Sequence, residues 1–283
     1  MNDFIGENKY NEIMKRIDSR ANSTFQRLIS LLNSAGINKY GEFLLSGRRL
    51  VPEFCARVQK KAKAIIVAPN MSLNGLDLSP ANSTPVIELA KKLFDELDIL
   101  GTHYPIVWGE IPPVEQFDFA KSPCGLELLL ALSNPLNLGA ALRSAEAFCV
   151  DKVILLSECA NPFLPRVIRA SSGSALRLGW SNTLAHGQSI HALASPQMAA
   201  ELWALDKNGR DISQFKFPKN FRLLIGEEGK GIPAEFSAEP YTSHRLSILM
   251  KPDMDSLNAV AATSIGLYAY RAQWPMPNRT HLP

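Results

Sequence analysis

Apolar positions change their period along the chain, and the change predicts the elements. In residues 8–35, Ile13, Ile17, Phe25, Leu28, Ile29 and Leu32 recur at helical spacing. Residues 42–54, EFLLSGRRLVPEF, read as a short strand, a Ser46-Gly47 turn and a helix. The run AKAIIVAP at 62–69 has the unbroken apolar character of a buried strand. PVIELAKKLFDEL at 85–97 puts Ile87, Leu89, Leu93 and Leu97 on one helical face. This first part is a small α/β unit. Residues 108–125 hold three prolines and lose any clear period, so the linker falls there, with expected domains of 1–118 and 119–283.

The second half alternates more regularly. LELLLAL (126–132), KVILL (152–156), ELWAL (201–205), RLLIG (222–226) and RLSIL (245–249) are strand-like. Helical patterns fill 138–148, 163–170 and 256–271. Short apolar strands alternating with helices predict an α/β domain whose mostly parallel sheet is covered on both faces.

Composition narrows the class. An apolar fraction of 46% and a charged fraction of 20% over 283 residues describe a soluble globular chain with a substantial core. The formal charge of +3 is too small to demand a nucleic-acid partner by itself. Four cysteines form no C-x-x-C pair and the five histidines are scattered, so no metal is expected. The polar start MNDFIGENKY and the lack of an apolar run near ~18 residues lead to the expectation of a reduced cytoplasmic protein without a membrane segment.

Candidate chemistry lies in three loops that follow strands, where open α/β sheets bind ligands. In NPLNLGAALR (134–143), Asn137 and Gly139 open a helix, and Arg143 offers a fork of donors for a phosphate or a developing oxyanion. The bland alternative makes Asn134 a helix cap and Arg143 a solvated surface residue. In IGEEGKGIP (225–233), Gly226, Gly229 and Gly231 permit positive φ and close ligand approach, but the spacing is neither a dinucleotide fingerprint nor a phosphate loop. In residues 248–270 a polar loop opens the last helix, with Ser256 as the expected N-cap and Asn258 inside the first turn. A plain capped helix is the alternative there.

Taken together and in order, NPLNLGAALR, GEEGKG and SLNAVAA resemble the three signature motifs of the SpoU (TrmH-type) class of SPOUT RNA ribose 2′-O-methyltransferases. RASSGSALRL (169–178) resembles the stretch this family carries between its first two motifs, and the likeness covers about residues 126–273. GEFLLSGRRLVPEF (41–54) is similar to the start of an accessory substrate-binding domain related to small ribosomal RNA-binding proteins.

The resemblance implies a C-terminal trefoil-knotted methyltransferase domain, preceded by a small α/β RNA-binding domain. It implies S-adenosylmethionine as cofactor, held by Gly226, Gly229, Gly231, Ile248 and Leu257, and a homodimer formed through the knotted domain. Arg143 matches the catalytic arginine. Asn137, Glu228, Ser256 and Asn258 match the other polar positions, where knot architecture is as strong a reading as direct catalysis. Arg166 and Arg169 are implied RNA contacts, whereas Lys60, Lys61 and Lys63 read as a solvated charge run. The implied activity is methylation of structured RNA, with rRNA favoured over tRNA. The alternative is a catalytically inactive knotted RNA-binding protein or assembly factor. Three departures from the motifs are Asn134 for Asp, Glu227 for Asn and Leu249 for Pro.

Overall fold

The computed structural model describes residues 14–58, 61–76, 84–193, 201–227, 229–237 and 241–276. The chain groups into two compact units, Met1–Ile111 with Phe163–Arg169, and Pro112–Pro162 with Ala170–Pro283. Among the described residues no helix is long and apolar enough to cross a membrane, and no group of His, Cys, Asp and Glu is placed to hold a metal ion.

The first unit runs β1 (Met14–Ile17), α1 (Ser23–Ser30), α2 (Ser34–Tyr40), β2 (Glu42–Leu45), α3 (Leu50–Val58), β3 (Ala62–Val67), β4 (Val86–Leu89), α4 (Lys91–Leu97) and β5 (Ile106–Glu110). Its sheet has the order β1-β4-β3-β5-β2 and is mixed: β4 is parallel to β1 and β3, while β5 is antiparallel to β3 and β2. Asn22 caps α1 by accepting from Thr24 N–H, and Gly41 ends α2 at a φ of 65° that its missing Cβ permits. Glu42 is buried at the start of β2, with Arg27 Nε at 2.8 Å, Lys63 Nζ at 2.6 Å and Trp108 Nε1 at 2.9 Å satisfying its carboxylate.

Three expectations need correction here. Met14–Ile17 is a strand, not part of a helix, because its backbone pairs with β4. Helical spacing at 85–97 hid a strand–helix junction: Val86 and Ile87 pair on both sides of β4, and the helix begins only at Lys91. Trp108–Glu110, assigned to the linker, ends β5, which is held between β2 and β3.

The second unit comprises β6 (Glu115–Gln116), β7 (Leu126–Leu130), α5 (Pro135–Ala147), β8 (Lys152–Leu155), α6 (Pro165–Ala170), α7 (Ser174–Trp180), β9 (Leu184–His186), β10 (Leu202–Asp211), β11 (Phe221–Ile225), β12 (Arg245–Ser247) and a C-terminal helix (Ala259–Gln273), with most of α6 grouped in the first unit. The sheet is parallel throughout, in the order β12-β10-β11-β7-β8-β9-β6. β7, β8 and β11 therefore lie inside it, and their residues are mostly apolar for that reason. Leu129, Ile154, Leu202 and Leu224 join Ile190, Leu193 and Phe236 in one buried cluster. The C-terminal helix packs on α5 through a Ser144–Ser264 hydroxyl bond of 2.9 Å, and Arg271 Nε donates to the Phe148 carbonyl at 2.8 Å just past the end of α5.

Candidate functional site

The C-terminal ends of β11 and β12 and the middle of β10 open into a cavity of about 650 Å³. Its apolar walls come from Leu205, Ile225, Ile232, Leu246 and Ile248, and Asn137 reaches it from α5. Three segments far apart in sequence thus meet at one place.

The loop after β11 is folded back on itself. Glu227 N–H donates to the Gly231 carbonyl at 2.9 Å, and Gly231 N–H returns a bond to the Glu227 carbonyl at 2.7 Å. A Cβ on Gly226 would overlap that Gly231 carbonyl, so only glycine lets the two ends of the loop close. The chain reverses through Gly229 and Gly231 at φ of 78° and 71°. The Glu227 side chain, 15% exposed, lies 2.9 Å from Lys230 Nζ and 4.0 Å from His191 Nε2, and His191 Nδ1 is 2.9 Å from Glu235. The hydrogen bond from Lys230 to Glu227 raises the lysine pKa above its ordinary value.

The loop after β12 supplies Ile248, Met250, Asp255, Ser256, Leu257 and Asn258 to the cavity. Asn258, not Ser256, caps the C-terminal helix: its side chain accepts from Val260 N–H at 2.9 Å, while Ser256 stays in the exposed loop. The helix starts later than its apolar pattern suggested, because this asparagine competes for the first free N–H groups. Leu249 is 74% exposed, turned away from the core.

Asn134 caps α5 by accepting from Leu136 N–H at 2.8 Å, which asparagine and aspartate do about equally well. Arg143 is exposed on α5 beyond Asn137, outside the cavity wall, with no ion pair among the described residues. Of the residues singled out from sequence, Asn137, Gly226, Gly229, Gly231, Ile248, Ser256, Leu257 and Asn258 all line the cavity. Glu228 lies outside the described residues, as does Lys60. Arg166 and Arg169 are exposed on α6 within the first unit; Arg169 Nη1 lies 2.6 Å from where a Cβ on Gly47 would stand.

Sequence reasoning missed one wall. Asp206, Lys207 and Asn208 also line the cavity, on a bulge where the β10–β12 register shifts between Leu205 and Arg210. The signal was the Asn208-Gly209 pair interrupting a strand pattern, a mark of a turn or bulge.

A parallel α/β sheet whose strands border a part-apolar, part-polar cavity defines an α/β ligand-binding domain. Residues 128–268 match the model of the SpoU rRNA Methylase family, and the chain belongs to that family. It is 34% identical over 257 residues to ribosomal RNA small subunit methyltransferase G 2 of Syntrophobacter fumaroxidans, covering 90% of this chain but 49% of that protein. The chain therefore spans about half the length of that relative. It is 26% identical to the 23S rRNA (uridine(2479)-2′-O)-methyltransferase of Streptomyces viridochromogenes, covering 90% of this chain and 91% of the relative. The crystal structure of the SpoU methyltransferase AviRb from the same organism, in complex with AdoMet, superposes with a TM-score of 0.68 at 25% identity, over 89% of this chain and 99% of the other.

Proposed function

We propose that the protein transfers a methyl group from S-adenosylmethionine to a ribose 2′-hydroxyl of ribosomal RNA. The observation that carries this reading is the convergence of Asn137, the Gly226–Gly231 ring and the 248–258 loop on one cavity. Its volume of about 650 Å³ suits a ligand of nucleoside size, and the overlap a Cβ on Gly226 would meet leaves main chain as the lining there. Gly226, Gly229, Gly231, Ile248 and Leu257 hold the cofactor through backbone groups and apolar contact. When bound, the cofactor supplies an electrophilic methyl group on a sulfonium.

The chain's own residues then treat the nucleophile. A guanidinium is a poor free base, since it stays protonated to about pH 12 or above. Arg143 instead clamps the RNA phosphate and stabilises the alkoxide that develops on the 2′-oxygen as its proton passes to the phosphate or to water. Asn137, Ser256 and Asn258 orient the ribose and the loops, and Glu228 is the fourth polar position that the motifs match. Arg48, Arg49, Arg166 and Arg169, all exposed on the first unit, form its phosphate-facing surface.

Two architectural expectations belong to the same proposal. The segment from β11 through the C-terminal helix threads the trefoil knot. The placement of β12 at the sheet edge while the following helix packs back on α5 supports this path. A homodimer forms over α5 and the C-terminal helix, whose Leu136, Ile265 and Tyr268 are 59%, 37% and 66% exposed. Its compartment is the cytoplasm, where ribosomal RNA is handled.

The test is methyl transfer from labelled S-adenosylmethionine to ribosomal RNA prepared from a strain lacking the gene. Label in an alkali-resistant dinucleotide is expected, because a 2′-O-methyl group blocks cleavage of the adjacent linkage. Label on a base, or transfer to tRNA alone, would overturn the assignment.

A further inference from the structure

None of the three family motifs includes the bulge at Asp206, yet this segment places in the cavity wall a carboxylate that is fixed from two sides. Asn208 N–H donates to Asp206 Oδ1 at 2.9 Å, and Arg245 Nη1 lies 3.4 Å from Oδ2. Arg245 is itself anchored, 12% exposed, with Nη2 donating to the Phe236 carbonyl at 2.7 Å. The Asp206 side chain is 16% exposed and sits beside Leu205 and Leu246. Lys207 and Asn208, the neighbouring bulge residues, are exposed. Glu227 and Asp255, the other described carboxylates of the wall, differ: Glu227 is drawn toward Lys230, and Asp255 is exposed.

A carboxylate has about four acceptor positions, and these two bonds occupy two of them. Its charge is already answered by Arg245, so it has no need of a second cation. What suits its remaining lone pairs is a neutral pair of donors, and an acidic side chain at the end of a parallel strand is a known acceptor for ribose hydroxyls in other nucleotide sites. We propose that Asp206 is a specificity-determining residue that accepts hydrogen bonds from the vicinal ribose diol of the cofactor. This inference rests on the S-adenosylmethionine reading above. The Arg245 contact serves to position the carboxylate.

Calorimetry with the full chain tests it, using S-adenosylmethionine, 5′-methylthioadenosine (which keeps the diol and lacks the amino-acid end) and 2′-deoxy-5′-methylthioadenosine. Asp206→Asn should weaken the first two by the same factor, about tenfold or more, as expected for a charge-assisted hydrogen bond. In the unaltered protein, removing the 2′-hydroxyl should cost a similar factor, and in Asp206→Asn it should cost little. That ligand-side comparison in the unaltered protein holds even if the variant folds poorly. Loss confined to S-adenosylmethionine would assign the carboxylate to the ammonium group and overturn the proposal, as would unchanged binding of both. Failure of the unaltered protein to bind S-adenosylmethionine at all would instead overturn the methyltransferase reading.

Discussion

Glu127 and Arg222 stand in register on the adjacent parallel strands β7 and β11, and their side chains meet at 2.7 Å with the guanidinium fully buried. Arg222 also donates to the Lys121 carbonyl and lies over the Phe117 ring, 5.5 Å from its centroid. A buried charge that loses its partner keeps its desolvation cost. Arg222→Met alone should therefore destabilise the protein by about 3–5 kcal/mol, while Glu127→Leu with Arg222→Met should recover most of the loss. Urea unfolding of the three proteins checks this. Equal stability of the single and double variants would show the pair to be uncoupled.

Arg143→Ala should reduce methyl transfer by roughly 10²–10³-fold, the scale for removing one donor to a developing oxyanion. The side chain is exposed and outside the cavity wall, so cofactor affinity and melting temperature should stay near those of the unaltered protein. Single-turnover transfer, run beside calorimetry, separates the two. A parallel loss of cofactor binding would place Arg143 in the cofactor site instead.

The central strands and the three motif loops were legible because each carries its signal locally. LELLL and FRLLI are buried along their whole length, and short apolar runs broken only by Glu127 and Arg222, which pair with each other, say so. The glycines of 226–231 announced a tight loop, and the loop is tight because Gly226 must pass the Gly231 carbonyl. What failed was information held by partners far away in sequence. Val86–Leu89 matched a helical face as well as a strand, and only pairing with β1 and β3 decides between them. Asp206 drew no attention, since its placement in the cavity wall depends on Arg245 from the next strand over. Ser256 was the expected cap by type, and the helix took Asn258, expected inside the first turn, instead.

Glu146 on α5 receives Arg177 Nε at 2.7 Å and Ser174 Oγ at 2.6 Å from α7. Burial pushes its carboxyl up, but the hydrogen bonds from Arg177 and Ser174 together with the Arg177 charge outweigh this and hold it below 4.5. A carboxyl depressed by folding contributes stability that is present above its unfolded value and lost as pH falls through the folded one. Glu146→Gln should lower the melting temperature at pH 7 and show a smaller further drop below pH 4.5 than the unaltered protein. Melting curves across that window check the sign. A steeper acid drop in the variant would contradict it.

Gly226 and Gly229 sit in the same loop but resist substitution for different reasons, and this separates the cavity from the turn. At Gly226 an added methyl would strike the Gly231 carbonyl, which the Glu227 N–H already holds, so the backbone ring must open and the cavity wall must move. At Gly229 nothing stands within 4 Å of an added Cβ, and the only cost is the φ of 78°. That conformational cost is about 1–2 kcal/mol for an L-residue, and it leaves the wall where it is if the turn keeps its shape. Gly226→Ala should therefore lower S-adenosylmethionine affinity by about tenfold or more, as a displaced backbone contact in a preformed pocket does. Gly229→Ala should lose stability of about that conformational cost with a smaller change in affinity. Calorimetry and thermal melts on both variants give the four numbers. A Gly226→Ala protein that binds the cofactor as tightly as the unaltered chain would mean that the ring after β11 is not the wall against which the adenosyl group rests.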